Sequence, residues 1–312
     1  MRILITGATG FVGSHVLEIL LENGKNEIGI TLRTTSDVWR IRKHIEKHDI
    51  LLFYLDKESV DEIISIFKPD IVIHMSVYYK RKHEYDDIEE MFNSNIIFPT
   101  KILDSMVKNG LRFFINTGTS AEFLPDTEYL HSRSKISPSN LYSATKVAFE
   151  EILKYYTLHL GIQAITLKLV YPYGPRDNPN KLIPYLIECA IRNETAKVTF
   201  GEQNLDYIYV KDVARAYKAA VEFIKRRWNK YEVFIIGSGE APSLREIAKV
   251  INEISNNLRV EWGAVPYDKS ELYHVKADTT KARNILGWKP IFSLREGILE
   301  TYNFYKGGLE NE

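Results

Sequence analysis

Residues 2–6 form a short apolar run stopped by Gly7, and across 16–22 apolar side chains recur at helical spacing, a pattern that predicts strand, loop and helix in that order. The alternation then repeats. Strands are predicted over 27–32, 51–54 and 70–74, with a helix over 60–67. A long helix over 88–108, a strand over 113–116, a helix over 141–160 and a strand over 163–167 continue the series. Strands separated by helical stretches imply right-handed crossovers, hence an α/β fold with a doubly wound parallel sheet and helices on both faces.

Beyond Leu169 the regularity gives way to Tyr171-Pro172-Tyr173-Gly174-Pro175-Arg176-Asp177-Asn178-Pro179, too rich in Pro, Gly and Asn for a helix or strand. This places a boundary between a first domain over 1–169 and a smaller C-terminal α/β subdomain over 170–312, from which the chain re-enters the first sheet at least once. Helical periodicity marks 182–192, 210–225, 244–254 and 294–305, and short strands are predicted at 198–200 and 232–236.

The 312 residues, 45% of them hydrophobic, suffice for one large core or two modest ones. Lys and Arg number 41 and Asp and Glu 41, so no net field draws the chain to nucleic acid or an anionic membrane, and neither is expected as a partner. No apolar run approaches the roughly 18 residues of a membrane span, and Met1-Arg2 leads straight into the first strand; a cytoplasmic location is expected. The single cysteine, Cys189, cannot form an internal disulfide and reads as packing within a helical run rather than as a nucleophile. No metal is expected.

Gly7-Ala8-Thr9-Gly10-Phe11-Val12-Gly13 lies between the first strand and the first helix, where a dinucleotide pyrophosphate meets free backbone N–H groups and the positive end of a helix dipole. One glycine makes the tight turn, another admits the phosphates to the backbone, and the third lets helix pack on strand. Taken alone the loop is also a flexible turn. Tyr142-Ser143-Ala144-Thr145-Lys146 sets a phenol and an amine four residues apart on one helix face, with Ser139 and Asn140 as caps. An ammonium close to a phenol favours phenolate and brings the tyrosine from its ordinary pKa of about 10 toward working pH, as acid/base chemistry requires. An ordinary surface pair is the plainer reading.

The spacing G-x-x-G-x-x-G, followed by Y-x-x-x-K, resembles the extended class of the short-chain dehydrogenase/reductase superfamily, which includes sugar-nucleotide epimerases, dehydratases and reductases. The similarity runs over nearly the whole chain. It implies a Rossmann domain holding NAD(P) on Gly7, Thr9, Gly10, Phe11, Val12 and Gly13, and a catalytic set of Thr119, Tyr142 and Lys146, the last two also touching the cofactor. Thr119 is chosen because the family's hydroxyl is followed four positions later by an aromatic, here Phe123; Thr117 and Ser120 are neighbours with the same chemistry, and Ser and Thr are also common turn formers. Asp56 resembles the residue that meets the adenine, Met75 and Ser76 in His74-Met75-Ser76 resemble the segment beside the cofactor, Asn95 matches a family asparagine, and Pro172 completes the cofactor set. Asp206-Tyr207-Ile208-Tyr209-Val210-Lys211-Asp212-Val213 resembles a segment near the substrate, and Leu286-Gly287-Trp288-Lys289-Pro290 belongs to a characteristic family ending.

Three positions depart from the family pattern. Leu205 stands where an Arg usually grips the nucleotide diphosphate, and Tyr171 where an Asn makes another phosphate contact. Arg176 and Lys181 are the candidates to replace that charge, and with Thr119, Ser120 and Tyr171 they form the expected substrate set. Ser120 and Ala121 occupy the places of the acid pair in 4,6-dehydratases, so elimination of water is not expected.

The resemblance implies an oxidoreductase acting by hydride transfer on a nucleotide-activated sugar, with reduction of a 4-keto sugar by exchangeable NADPH leading. A 4-epimerase, an isomerase that oxidises and re-reduces on retained NAD, uses the same apparatus, and fold and triad do not separate the two. A non-catalytic NADP-sensing protein is a third reading, against which both Tyr142 and Lys146 stand; an enzyme acting on small carbonyls or amino-acid derivatives is a fourth. NADP is expected over NAD. An NAD site usually ends its second strand with an acid, whereas here the strand over 27–32 is followed by Arg33-Thr34-Thr35-Ser36, and Asp37 comes too late in the loop. The Arg33 guanidinium, helped by Thr34 and Ser36, suits a 2′-phosphate; it is equally a solvated cation or a group stacked on adenine. The family also implies a homodimer packed through the helices over 88–108 and 141–160.

Overall fold

Ile3 and Ile5 of the first strand turn to one side of the sheet and Leu4 to the other, and all three are buried, as expected of a parallel strand covered on both faces. The computed structural model describes residues 1–22, 24–123, 129–226, 230–267 and 273–309. Six strands come from residues 1–169: β1 (Arg2–Thr6), β2 (Glu27–Leu32), β3 (Ile50–Tyr54), β4 (Ile71–His74), β5 (Phe113–Thr119) and β6 (Gln163–Leu169). After four short strands, β7 (Pro172–Tyr173), β8 (Thr195–Val198), β9 (Asn204–Leu205) and β10 (Ile208–Tyr209), the chain returns as β11 (Tyr231–Ile236). The seven-stranded sheet runs β11-β6-β5-β4-β1-β2-β3, every pair parallel. This is a Rossmann α/β fold. The strand order reverses beside β1, which opens a crevice at the carboxyl ends of β1 and β4.

Helices cover both faces. α1 (Phe11–Leu21) and α8 (Val210–Phe223) share one core, where Val16, Leu17, Leu20, Val213 and Tyr217 meet Ile3 and Ile5. On the other face α3 (Val60–Phe67), α5 (Phe98–Lys108) and α6 (Leu141–His159) bury Ile63, Leu103 and Phe149 against Leu4 and Phe114. Each such side chain contributes about 1.5–3 kcal/mol. A separate cluster joins α7 (Leu182–Arg192), α9 (Leu244–Ser255) and α10 (Leu294–Leu309), and β12 (Arg259–Trp262) and β13 (His274–Val275) pair with β8 and β9. Among the described residues no helix is long and apolar enough to cross a membrane.

Several elements differ from the sequence reading. α2 (Arg42–Lys47) buries no residue, so it leaves no periodic signal. The strand read at 198–200 lies earlier, at β8, with Phe200 exposed beyond it. The single helix read over 88–108 is three pieces: α4 (Asp87–Phe92), a π-helical stretch Asn93–Ile97, and α5. Pro99 has no N–H for the carbonyl four residues back, which breaks the regular ladder there, and the wider turn carries Asn95 into the interior, 1% exposed. β5 and β6 run further than 116 and 167 because they pair with each other as far as Thr119 and Leu169. Thr119 is therefore the last residue of a strand.

Candidate active site

Gly7 has φ +73, and a Cβ on it would lie 2.6 Å from the Ser76 nitrogen; a Cβ on Gly13 would lie 2.1 Å from the Gly7 carbonyl oxygen. Neither position tolerates a side chain. Gly10 caps α1 without a side-chain hydrogen bond, and the first turn of α1 holds no acidic residue, so its N–H groups stay available to an anion. A groove of about 1030 Å³ opens over this loop, lined by Gly7, Thr9, Leu32, Arg33, Ser36 and Ser76. Shape and donors fit a dinucleotide.

The neighbouring wall is fixed from below. Thr6 Oγ1 lies 2.8 Å from His74 Nδ1 and accepts from the Met75 and Ser76 N–H groups, each at 3.2 Å. Asn95, placed by the resemblance with the cofactor, spends its amide inside the protein: Oδ1 accepts from Tyr78 N at 2.8 Å, and Nδ2 donates to Tyr78 O and to Thr145 Oγ1, both at 3.0 Å. It ties the wall to α6. The wall carries Tyr79, whose ring meets Tyr142 edge-on at 4.8 Å between centroids and which the sequence reading did not single out.

Just beyond β2 Arg33 donates to Glu90 at 3.0 Å, both side chains well exposed. Asp56, expected at the adenine, accepts from the Thr34 N–H and hydroxyl, and these bonds hold its carboxyl below the usual range. Ser36 Oγ accepts from the Arg33 N–H at 2.9 Å.

Asn140 caps α6, its Oδ1 accepting from Ser143 N at 2.9 Å. Tyr142 and Lys146 follow one turn apart, Lys146 buried. Thr119 caps a short 3₁₀ turn, Ser120–Glu122, next to Phe123. Thr117 is committed elsewhere, donating to the His74 carbonyl at 2.8 Å and sharing a 2.6 Å hydrogen bond with the Tyr217 hydroxyl. That leaves Thr119 and the buried Ser120 as hydroxyls of the turn.

The electrostatics correct one expectation. Burial, reinforced by Glu122, raises the Tyr142 phenol above its ordinary value, so in the free protein it holds its proton. Burial also lowers the Lys146 ammonium, to about 8, and the phenol's shift is set by burial, Glu122 and the neighbouring tyrosines. Burial outweighs the attraction that spacing alone suggested.

On the substrate side Leu205 is buried with Phe123, Val170 and Ile235, and Tyr171, at φ +37, sets its ring 5.7 Å from Tyr207. Pro172 opens β7. Arg176, a candidate for the diphosphate, instead binds Glu18 and lies 2.8 Å from His15 Nδ1, joining its loop to α1. Lys181 pairs with Asp177 at 2.9 Å and lies 5.1 Å from the Phe11 ring centroid. Asp206 turns inward and accepts from Ser238 N, Ser238 Oγ, Gly239 N and Ala277 N at 2.7–3.0 Å.

Two further groups escaped the sequence reading: Lys168 on β6 and Glu122 on the 3₁₀ turn, both buried and in contact. The available signal was a lysine inside a strand otherwise apolar but for Thr166, Ala164-Ile165-Thr166-Leu167-Lys168-Leu169.

The model of the NAD-dependent epimerase/dehydratase family matches residues 3–237. A CDP-abequose synthase of Salmonella muenchen is 31% identical over 304 residues, 95% of each chain. The crystal structure of a UDP-glucose 4-epimerase from Thermotoga maritima with UDP-glucose superposes with a TM-score of 0.86 at 26% identity, covering 99% of this chain and 100% of that one. The fold is also that of a UDP-glucuronic acid 4-epimerase from Bacillus cereus, solved with UDP-glucuronic acid and NAD, at a TM-score of 0.88 and 23% identity over 98% of this chain and 99% of that one. A family model spanning most of the chain and a full-length relative agree with the glycine cradle and the Tyr142/Lys146 pair: the chain belongs to the NAD-dependent epimerase/dehydratase family and is an enzyme of that class.

Proposed function

We propose that the protein reduces a 4-keto sugar nucleotide, with NADPH as the preferred cofactor. The observation that carries this reading is the placement of Thr119 at the end of β5 with Tyr142 and Lys146 on α6, together with Arg33 where an acid would follow β2 in an NAD site. NADPH, when bound, supplies the hydride to the sugar carbon. Thr119 donates a hydrogen bond to the carbonyl oxygen, and Tyr142 gives that oxygen its proton, leaving a phenolate that Lys146 steadies and solvent reprotonates. Relatives named for CDP and UDP sugars support a pyrimidine nucleotide on the substrate. The NAD-dependent 4-epimerase is the second reading, favoured by the 4-epimerases among the structural neighbours.

The cofactor preference rests on Arg33. Leaving Glu90 costs an exposed pair about 0.2–1 kcal/mol, whereas a charge-assisted hydrogen bond to a 2′-phosphate contributes about 1.5–3 kcal/mol. The expected result is NADPH binding about tenfold more tightly than NADH, and a ratio near unity in Arg33→Ala. Calorimetric titration of both cofactors checks this. Equal affinities in the wild type would return the epimerase to first place. Consumption of NADPH with 4-keto sugar nucleotides tests the reaction itself.

A homodimer is part of the proposal. Ile97, Tyr155 and Leu158 leave apolar surface exposed on the π-helical stretch and α6.

A further inference from the structure

Lys168 projects from β6 into the interior, 2% exposed, and its ammonium contacts the carboxylates of Glu122, 1% exposed, and Glu150, 6% exposed. Gly118 makes the passage: a Cβ there would stand 2.4 Å from Lys168 Cδ. Phe123 closes one side, its ring centroid 5.5 Å from Nζ. The second Glu122 oxygen accepts the Thr119 N–H at 2.7 Å. Glu150 follows Tyr142 and Lys146 at the same four-residue interval, on one face of α6. A single lysine thus pins the turn that carries Thr119 to the helix that carries Tyr142 and Lys146.

Burying three charges is costly, and an apolar trio of similar volume is often as stable or more so. Stability is therefore a weak reason for this arrangement directly behind the reacting groups. We propose that Glu122, held by Lys168, is a positioning residue of the reaction centre: it fixes the Thr119 turn against α6 and sets a buried negative charge facing Tyr142 and Lys146.

The charged and titratable groups around this centre are Lys168 on β6, Glu150, Tyr142 and Lys146 on α6, His74 on β4, Tyr79 after β4, Tyr217 on α8, and Tyr231 on β11, whose hydroxyl lies 3.0 Å from Thr166 Oγ1. Burial pushes the Glu122 carboxyl up and Lys168 opposes that. The Glu122 charge in turn holds the proton on both Tyr142 and Lys146. The inference rests on the acid role proposed for Tyr142, but its first test needs no turnover.

That test is the titration of Lys146, followed by NMR of protein labelled at lysine Cε, with the resonance assigned by its loss in Lys146→Met. The wild-type midpoint is expected at about 8. In Glu122→Gln, which keeps an oxygen for the Thr119 N–H and removes the charge, the midpoint is expected to fall by about one pH unit. With a keto-sugar nucleotide substrate, kcat at neutral pH is expected to drop about tenfold while KM stays within about twofold. A Lys146 midpoint unchanged from the wild type overturns the proposal whatever the turnover; a lowered midpoint supports it even if no sugar substrate is found. Should Glu122→Gln not fold, Glu122→Asp keeps the charge but withdraws it from the Thr119 turn. A fall in kcat with cofactor affinity retained then supports positioning, and unchanged kcat overturns it.

Discussion

Tyr142→Phe is expected to lower turnover by about two to four powers of ten, the usual cost of removing one acid/base group, while the protein stays folded and binds cofactor. The phenol stands on α6, whose N-cap and Lys146 do not depend on the hydroxyl. Its ring keeps the edge contact with Tyr79 after the substitution. The glycine loop, where the cofactor is expected to bind, is not touched by the change. Single-turnover kinetics beside calorimetric titration separate the two properties. Wild-type turnover in Tyr142→Phe would remove the catalytic assignment, and lost cofactor binding in the folded variant would show that the hydroxyl serves the cofactor instead.

Lys168→Met is expected to destabilise the fold by about 3–5 kcal/mol, the cost of breaking a buried ion pair from one side. It leaves Glu122 and Glu150 facing each other without a cation between them. The pH dependence has a definite sign. Burial already holds the Glu122 carboxyl above its ordinary value and Lys168 opposes that, so without the ammonium the folded state binds its proton more strongly and stability is lost as pH rises above the unfolded carboxyl pKa. Denaturant melts at pH 5 and pH 8 should therefore show the larger deficit at pH 8. Equal, small deficits at both would mean that Lys168 is not the counter-charge.

The elements with strong local signals were legible from the chain. β1, the glycine loop and α1 follow from an apolar run, three glycines and helical spacing, and Asn140 announced the start of α6. What escaped depends on partners distant in sequence. Thr117-Gly118-Thr119 has turn composition but is strand because β6 supplies its ladder. Asn95 matched a family position, yet nothing local showed that a π-helical turn would bury it against Thr145, 50 residues away. Lys168 was visible as an odd residue in an apolar strand, but its partners lie 18 and 46 residues off. Tyr142 and Lys146 do lie one turn apart on α6, but spacing reveals a neighbour and not how far burial shifts each group. Arg176 and Lys181 likewise offered charge in sequence that Glu18 and Asp177 take up in the fold.

The claim that this enzyme reduces a sugar carbonyl, rather than oxidising and re-reducing one, is tested most directly with NADPH deuterated at the transferable position of nicotinamide C4. Incubated with a 4-keto pyrimidine-nucleotide sugar, the enzyme should give a product carrying one deuterium at sugar C4 for every NADPH consumed, with Tyr142→Phe giving almost none. Conversion of a 4-hydroxy sugar nucleotide into its C4 epimer, with no net NADPH consumed and no deuterium incorporated, would contradict it.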